Sequence, residues 1–121
     1  MSRSEKMIPI SLEAGADLSA KQYFFVAVSA DGQIDPAGDG AHADGVLQNN
    51  PSAAGRVAEV AIGGVVEVIC GGVVTRGGPV ASDTNGEAVN PASGDVILGT
   101  ALETGADGSV ISMIFNPRGP A

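Results

Sequence analysis

Short runs of valine and isoleucine, separated by Gly, Asn, Asp and Pro, recur along the whole chain. Apolar runs of this length, bounded by turn-forming residues, are typical of β-strands and not of helices. The pattern predicts an all-β fold: a small single-domain β-barrel or β-sandwich with at most one short helical turn. That turn is expected over residues 17–22, with Asp17 as its cap.

The predicted strands span residues 7–12, 23–28, 56–62, 65–70, 80–83, 87–90, 95–102 and 109–115, with a short extended piece near residue 34. Pro9 lacks a backbone donor, so the first strand is expected at a sheet edge. Gly63-Gly64 and Asn85-Gly86 each predict a hairpin between the strands that flank them. Residues 29–45 are rich in Gly and Asp, which predicts a long loop that is the most mobile segment.

The two ends of the chain differ from its middle. Residues 1–10 are predicted as a flexible N-terminal arm, 11–116 as the β-rich domain and 117–121 as a C-terminal tail. In the last strand, Ile111, Met113 and Phe115 share one face and Val110 and Ile114 the other, so both faces are expected to be covered. Residues 116–121 are expected not to extend this strand.

Composition narrows the class of protein. A chain of 121 residues with 44% hydrophobic content is long enough to bury one core and too apolar to be disordered. Only 3% of residues are aromatic, so the core must consist of smaller side chains, and we expect neighbouring subunits to cover part of the apolar surface. No apolar run approaches the roughly 20 residues of a membrane span, and no secretory signal is visible, so synthesis in a cytoplasm is expected.

Charge argues against a nucleic-acid partner. The formal net charge is -8, with 6 basic residues scattered along the chain against 14 acidic ones. Such a surface repels a phosphate backbone. The glycine-rich stretch at residues 71–78 contains no lysine to reach a phosphate, which excludes a phosphate-binding loop.

Candidate catalytic groups are few. His42 is the only histidine and lies in the predicted loop without a recognisable partner, which favours a surface role. Cys70, the only cysteine, ends a valine-rich strand and is predicted as a core residue, so no internal disulfide and no multi-cysteine metal site can form. Glu59 and Glu67 are interpreted as marking a solvent-exposed or subunit-facing surface and not an acid/base pair.

A metal site is also not expected. Four aspartates in the predicted loop invite a calcium interpretation, but their spacing lacks the alternate ligands, fixed glycine and terminal glutamate of an EF-hand. They are predicted to be solvated turn residues: Asp31, Asp35, Asp39 and Asp44. The sequence therefore predicts no catalytic residue, metal, cofactor or small-molecule substrate.

Three blocks of sequence carry a family resemblance. They are Ala14-Gly-Ala-Asp-Leu-Ser-Ala-Lys-Gln-Tyr23, Ala43-Asp-Gly-Val-Leu-Gln-Asn49 and Gly94-Asp-Val-Ile-Leu-Gly-Thr-Ala-Leu-Glu103. In order and spacing the chain resembles the capsid cement, or head decoration, proteins of tailed bacteriophages from about Ile8 to Phe115. The resemblance implies a small β-rich structural protein without enzymatic activity, often trimeric, similar in role to the lambda-type head decoration protein.

The same resemblance implies a partner and a place. The expected partner is the major capsid protein of a tailed phage, and the expected location is the outer surface of the mature, expanded capsid in the virion, at threefold or quasi-threefold positions. A homotrimer would clamp neighbouring coat subunits and so stabilise the shell. The expected capsid-binding residues are Met7, Ile8, Pro9 and Ile10, an alternating stretch suited to adding a strand to an exposed sheet edge.

A second class of function stays open: a surface-displayed β-domain that binds other molecules, of the adhesin or carbohydrate-binding type. Carbohydrate sites usually present exposed aromatic rings. The aromatic residues here lie in runs predicted as core, which weighs against this alternative: Tyr23, Phe24, Phe25 and Phe115.

Overall fold

The computed structural model describes residues 7–120, and in this range it contains ten strands and no helix. The strands are β1 (Pro9–Ala14), β2 (Phe25–Ala30), β3 (Gln33–Pro36), β4 (Gly45–Leu47), β5 (Val57–Ala61), β6 (Gly64–Ile69), β7 (Pro79–Ser82), β8 (Ala88–Val89), β9 (Gly99–Ala101) and β10 (Val110–Phe115). The predicted all-β, single-domain fold is confirmed.

The first five strands form a closed barrel in the order β1-β3-β2-β4-β5. β1 closes it by pairing antiparallel with β5 from Pro9↔Ala61 to Glu13↔Val57. β1 pairs parallel with β3 at Glu13 and Ala14 only. The barrel interior is filled by small and medium aliphatic side chains: Ala14, Leu18, Val26, Ile34, Leu47, Ala58 and Val60.

The other five strands form a second sheet in the order β6-β10-β9-β7-β8. A parallel bridge between Cys70, just after β6, and Ala88 in β8 curls this sheet into a half-barrel. The larger core lies between the half-barrel and the outer side of the closed barrel. It includes the tilted ring pair Phe25 and Phe115, whose centroids are 6.3 Å apart.

The segment before β2 joins the two sheets through its backbone. The Tyr23 N–H donates to Leu47 O in the barrel (2.6 Å), and Tyr23 O accepts from the Ile69 N–H in the half-barrel (3.0 Å). Phe25 N–H donates across to Gly86 O (2.7 Å). Tyr23 adopts a φ of 72°, unusual for a residue with a side chain, which allows its two polar groups to face opposite sheets. The predicted strand over 23–28 therefore begins two residues later, at Phe25.

Two turn predictions have different outcomes. Asn85-Gly86 joins β7 to β8 as a hairpin, with Gly86 at a φ of 92°, so this prediction is confirmed. Residues 17–22 form turns and no helix: Asp17 Oδ1 accepts the Ser19 N–H as a cap does, but the chain turns again at Gln22 and Tyr23.

The predicted hairpin across Gly63-Gly64 is wrong, although both strands exist. β5 pairs with β1 and β4 in the barrel, whereas β6 pairs with β10 in the half-barrel. Gly64 has a φ of 83° and redirects the chain from one sheet to the other. The long loop predicted over 29–45 is shorter than expected: β2 continues to Ala30, the extended piece expected near residue 34 is β3, and the segment without strands covers residues 37–44.

The last strand is covered mainly on one side. Ile111, Met113 and Phe115 are buried as predicted, but Ile114 on the other face is 42% exposed, so the expected burial of both faces is not found. β10 ends at Phe115, so residues 116–120 do not extend it, as predicted. The chain after β10 runs beside residues 96–98, with the Arg118 N–H donating to Ile97 O (2.7 Å) and a bridge between Val96 and Pro120.

Candidate functional site

Three exposed isoleucines lie together where β1 begins. Ile8 is 54% exposed, Ile10 37% and Ile62 38%. Ile8 lies opposite Ile62, since Ile8 N–H donates to Gly63 O (3.1 Å) and Ile8 O accepts from the Ile62 N–H (2.8 Å). Directly opposed residues of an antiparallel pair share a face, as do alternate residues of one strand. Ile8, Ile10 and Ile62 thus form one apolar patch, called the isoleucine patch below.

The same part of β1 has an open edge. Among the described residues, positions 9–12 pair only with β5, because the turn between β2 and β3 comes before β3 can reach them. Since Ile8 directs its polar groups at β5, alternation directs those of Pro9 and Ser11 at the open edge. Glu13 follows the same rule and donates its N–H to Gly32 O on that side (2.9 Å). The edge therefore offers the Pro9 carbonyl and both backbone groups of Ser11.

The predicted capsid-binding residues are only partly brought together. Ile8, Pro9 and Ile10 are exposed, while Met7 is half-buried against the larger core. The predicted boundary of the arm at residue 10 falls inside β1, and residues 1–6 of the arm lie outside the described residues. Ile62 was missed by sequence reasoning, because only the β1–β5 register shows that it joins Ile8.

Pro9 fits its position for a physical reason. Its nitrogen, which carries no hydrogen, faces the open edge, so no hydrogen bond to β5 is lost. The expectation of an edge strand holds over residues 9–12. It fails at Glu13 and Ala14, where β3 pairs with the other side of β1.

The histidine and the aspartates form surface contacts. His42 Nε2 lies 3.2 Å from Asp44 Oδ1, and both side chains are well exposed. Asp44 also accepts the Val28 N–H (2.8 Å), and Asp35 accepts the Ser29 hydroxyl (2.6 Å). Within residues 7–120, no cluster of three or more His, Cys, Asp or Glu side chains is arranged to hold a metal ion.

Cys70 is buried, as its sequence context predicts. Burial, followed by the nearby carboxylates of Glu103, Asp107 and Glu87, raises the pKa of the Cys70 thiol to about 11. The thiol therefore stays protonated and poorly nucleophilic at neutral pH.

The two glutamates do not form a pair. Glu59 lies in the barrel and accepts the Ser11 hydroxyl across the β1–β5 pair (2.9 Å), while Glu67 belongs to the half-barrel. The two glutamates therefore lie in separate sheets.

The aromatic rings offer no exposed platform in the described chain. Phe24, Phe25 and Phe115 are buried, and Tyr23 is half-buried. No helix in the described part of the chain is long and apolar enough to cross a membrane.

Comparison with known protein families identifies the family of this chain. The model of the phage cement protein family matches residues 1–115. The chain belongs to the phage cement protein family. Membership of this family gives the chain a capsid-associated structural role in a bacteriophage and places it in the virion. No curated protein matches it by sequence.

The fold of this cement protein is similar to a solved structure described as the head fiber gp8.5 N base of bacteriophage phi29. The TM-score is 0.74 at 19% sequence identity, and the match covers 95% of this chain and 98% of the other. At this identity the likeness concerns the fold alone. It shows that the pairing of a closed barrel with a half-barrel also occurs in a phage head structure.

Proposed function

We propose that this cement protein binds the outer surface of the mature, expanded capsid and stabilises it by clamping neighbouring major capsid protein subunits. The observation that carries the proposal is the open edge of β1 beside the isoleucine patch. An unpaired strand edge next to exposed apolar side chains is a surface that another chain can complete.

Strand addition supplies the mechanism. An extended coat segment pairs with the open edge by donating to the carbonyls of Pro9 and Ser11 and accepting from the Ser11 N–H. The isoleucine patch next to it buries apolar surface against the coat protein, at about 25 cal/mol per Å². Met7, Ile8, Pro9 and Ile10 are thus the proposed contact residues, joined by Ile62.

Each such contact is weak, so the clamp requires several copies. One net hydrogen bond contributes only about 0.5–1.5 kcal/mol. A homotrimer turns the second and third contacts into effectively intramolecular ones, which raises the overall affinity without any new contact. Because the protein binds the expanded shell and not its precursor, mass action stabilises the expanded state.

Two substitutions at Ser11 test the edge. Ser11→Ala removes the hydroxyl that donates to Glu59 but keeps the backbone N–H, whereas Ser11→Pro removes both. The Ser11 N–H faces the open edge, so proline is expected to leave the barrel pairing intact. The two variants should have similar urea midpoints, which makes them a matched pair that differs at the edge.

The assay is co-sedimentation with undecorated expanded capsids and with unexpanded procapsids. Saturable binding to expanded shells alone, about tenfold weaker for Ser11→Pro than for Ser11→Ala, is expected from the loss of one edge hydrogen bond in each contact. Equal binding by the two variants would refute the edge as the contact. Failure of the unaltered protein to bind either shell would refute the cement function and favour a surface-displayed binding module.

A further inference from the structure

The chain beyond β10 forms one wall of a cleft on the half-barrel. The cleft has a volume of about 460 Å³, and its walls come from β7, β9, the segment before β9 and residues 118–120. Apolar side chains line much of it, namely those of Pro79, Ile97 and Pro120. One charged side chain, Arg118, lies among them, so the space is called the Arg118 cleft below.

The Arg118 guanidinium is held in place. Its Nη2 donates to Gly99 O (3.1 Å) and to Thr100 Oγ1 (3.2 Å), and the Arg118 N–H donates to Ile97 O (2.7 Å). Nη1 and Nε donate no hydrogen bond to a described residue. Thr100 accepts through its oxygen, so its own hydroxyl proton also stays available.

This guanidinium has no carboxylate partner among residues 7–120. Lys21, Arg56 and Arg76 likewise have no carboxylate partner in this range, so Arg118 differs from them in that hydrogen bonds hold its guanidinium in place. The two hydrogens of Nη2 are used by Gly99 and Thr100, so a carboxylate would be bound by a single charge-assisted hydrogen bond from Nη1 or Nε. The apolar walls suit the methylene groups that carry a carboxylate in a side chain.

We infer that the Arg118 cleft binds an aspartate or glutamate side chain of a partner protein, and, resting on the proposed function, that this partner is the coat subunit. Thr100 lies opposite Ile114 in β10, and Ile114 lies opposite Val65 in β6. The side chains of Thr100, Ile114 and Val65 therefore share one face of the half-barrel. Val65, at the end of this row, follows Ile62 of the isoleucine patch by three residues in the chain. A charged contact at Arg118 thereby makes binding to the coat subunit more specific, because the other proposed contacts are apolar or involve only the backbone.

The first test needs no capsid. The isotopically labelled protein is titrated with the peptide acetyl-Gly-Glu-Gly-amide, and with the glutamine peptide as its neutral match, while backbone amide NMR shifts are followed. Saturable shifts at Ile97, Thr100 and Arg118 are expected with the glutamate peptide only, with a millimolar dissociation constant. Arg118→Gln should weaken this binding at least about tenfold, whereas Arg56→Gln, which alters an exposed arginine of the barrel, should leave it unchanged.

Several results would overturn the inference. Equal shifts with both peptides, shifts that persist in Arg118→Gln, or similar shifts around every arginine would show that no carboxylate site exists. Arg118→Lys keeps the charge but loses the planar guanidinium that Gly99 O and Thr100 Oγ1 hold in place, and it should bind more weakly than the unaltered protein. Unchanged amide dispersion in the variants confirms that they are folded.

A separate measurement tests whether the carboxylate belongs to the coat subunit. Arg118→Gln should reduce binding to expanded capsids about tenfold and lessen its dependence on salt. Full capsid binding by this variant, together with Arg118-dependent self-association, would place the carboxylate on a second copy and refute the coat assignment. Because Ser11→Pro tests the β1 edge separately, failure at Arg118 leaves the proposed function standing.

Discussion

Because of Cys70, the free energy of unfolding should decrease at alkaline pH, and the size of the decrease can be calculated from the pKa of the thiol. Its thiol is buried at the end of β6, and burial together with three nearby carboxylates raises its pKa to about 11 from an ordinary value of 9.0. In the unfolded chain the thiol ionises at the ordinary pKa. Between the two values the unfolded chain loses a proton that the folded chain keeps, so unfolding becomes more favourable.

The sign and size follow from this pKa difference. The stabilisation is fully present below pH 9 and is lost as the pH rises towards 11. Two pKa units correspond to about 3 kcal/mol in total, and about 2 kcal/mol of it is lost between pH 8 and pH 10.5. This is a large share of the roughly 5–15 kcal/mol that stabilises a small domain.

The assay is urea unfolding at pH 8 and pH 10.5, for the unaltered protein and for Cys70→Ala. Alanine costs stability at both pH values by removing packed atoms, but it has no proton to lose. Every other ionisable group is present in both proteins, so the comparison isolates the thiol. The unaltered protein should lose about 2 kcal/mol more than the variant over this range. An equal loss in both would show that burial does not raise the pKa of the Cys70 thiol.

Two core predictions follow from close packing. Gly45→Ala should cost at least about 1–3 kcal/mol in a urea titration, because an added Cβ would overlap Val60 Cγ1, whereas Gly38→Ala, in open surroundings, should stay within about 0.5 kcal/mol. Phe25→Ala should cost about 3–5 kcal/mol by thermal or chemical unfolding, because the ring is fully buried, and the exposed Ile114→Ala should cost less than about 1 kcal/mol. Similar losses within either pair would contradict the packing described.

Local pattern predicted the strands better than their partners. The apolar run of β10 and the Asn85-Gly86 turn each contain their own structural signal, and both appear where expected. Gly63-Gly64 contains the same kind of signal but connects two sheets, because which strand pairs with β5 is decided by the barrel as a whole. Long-range pairing leaves no mark within a window of a few residues.

The candidate site shows the same limit. The alternation of side chains along β1 predicts that Ile8 and Ile10 share a face, and Pro9 predicts that the strand lies at a sheet edge. Ile62 joins them only through the β1–β5 register, and Arg118 becomes notable only once the chain after β10 lies beside residues 96–98. Ile8 and Ile62 are 54 positions apart (62 − 8) and Ile97 and Arg118 are 21 apart (118 − 97), and neither contact can be predicted from one sequence.

The open edge of β1 is too short to make copies of this protein associate through it. An exposed edge usually invites copies of a protein to pair with one another. Here Pro9 removes a donor, so among the described residues the free part of β1 offers one N–H and two carbonyls, worth about 3 kcal/mol in net hydrogen bonds. That alone corresponds to binding weaker than about 1 mM, too weak to join two copies at ordinary concentrations. A partner must add apolar contact at the isoleucine patch and be met by several copies at once, and a repeating shell surface supplies both conditions.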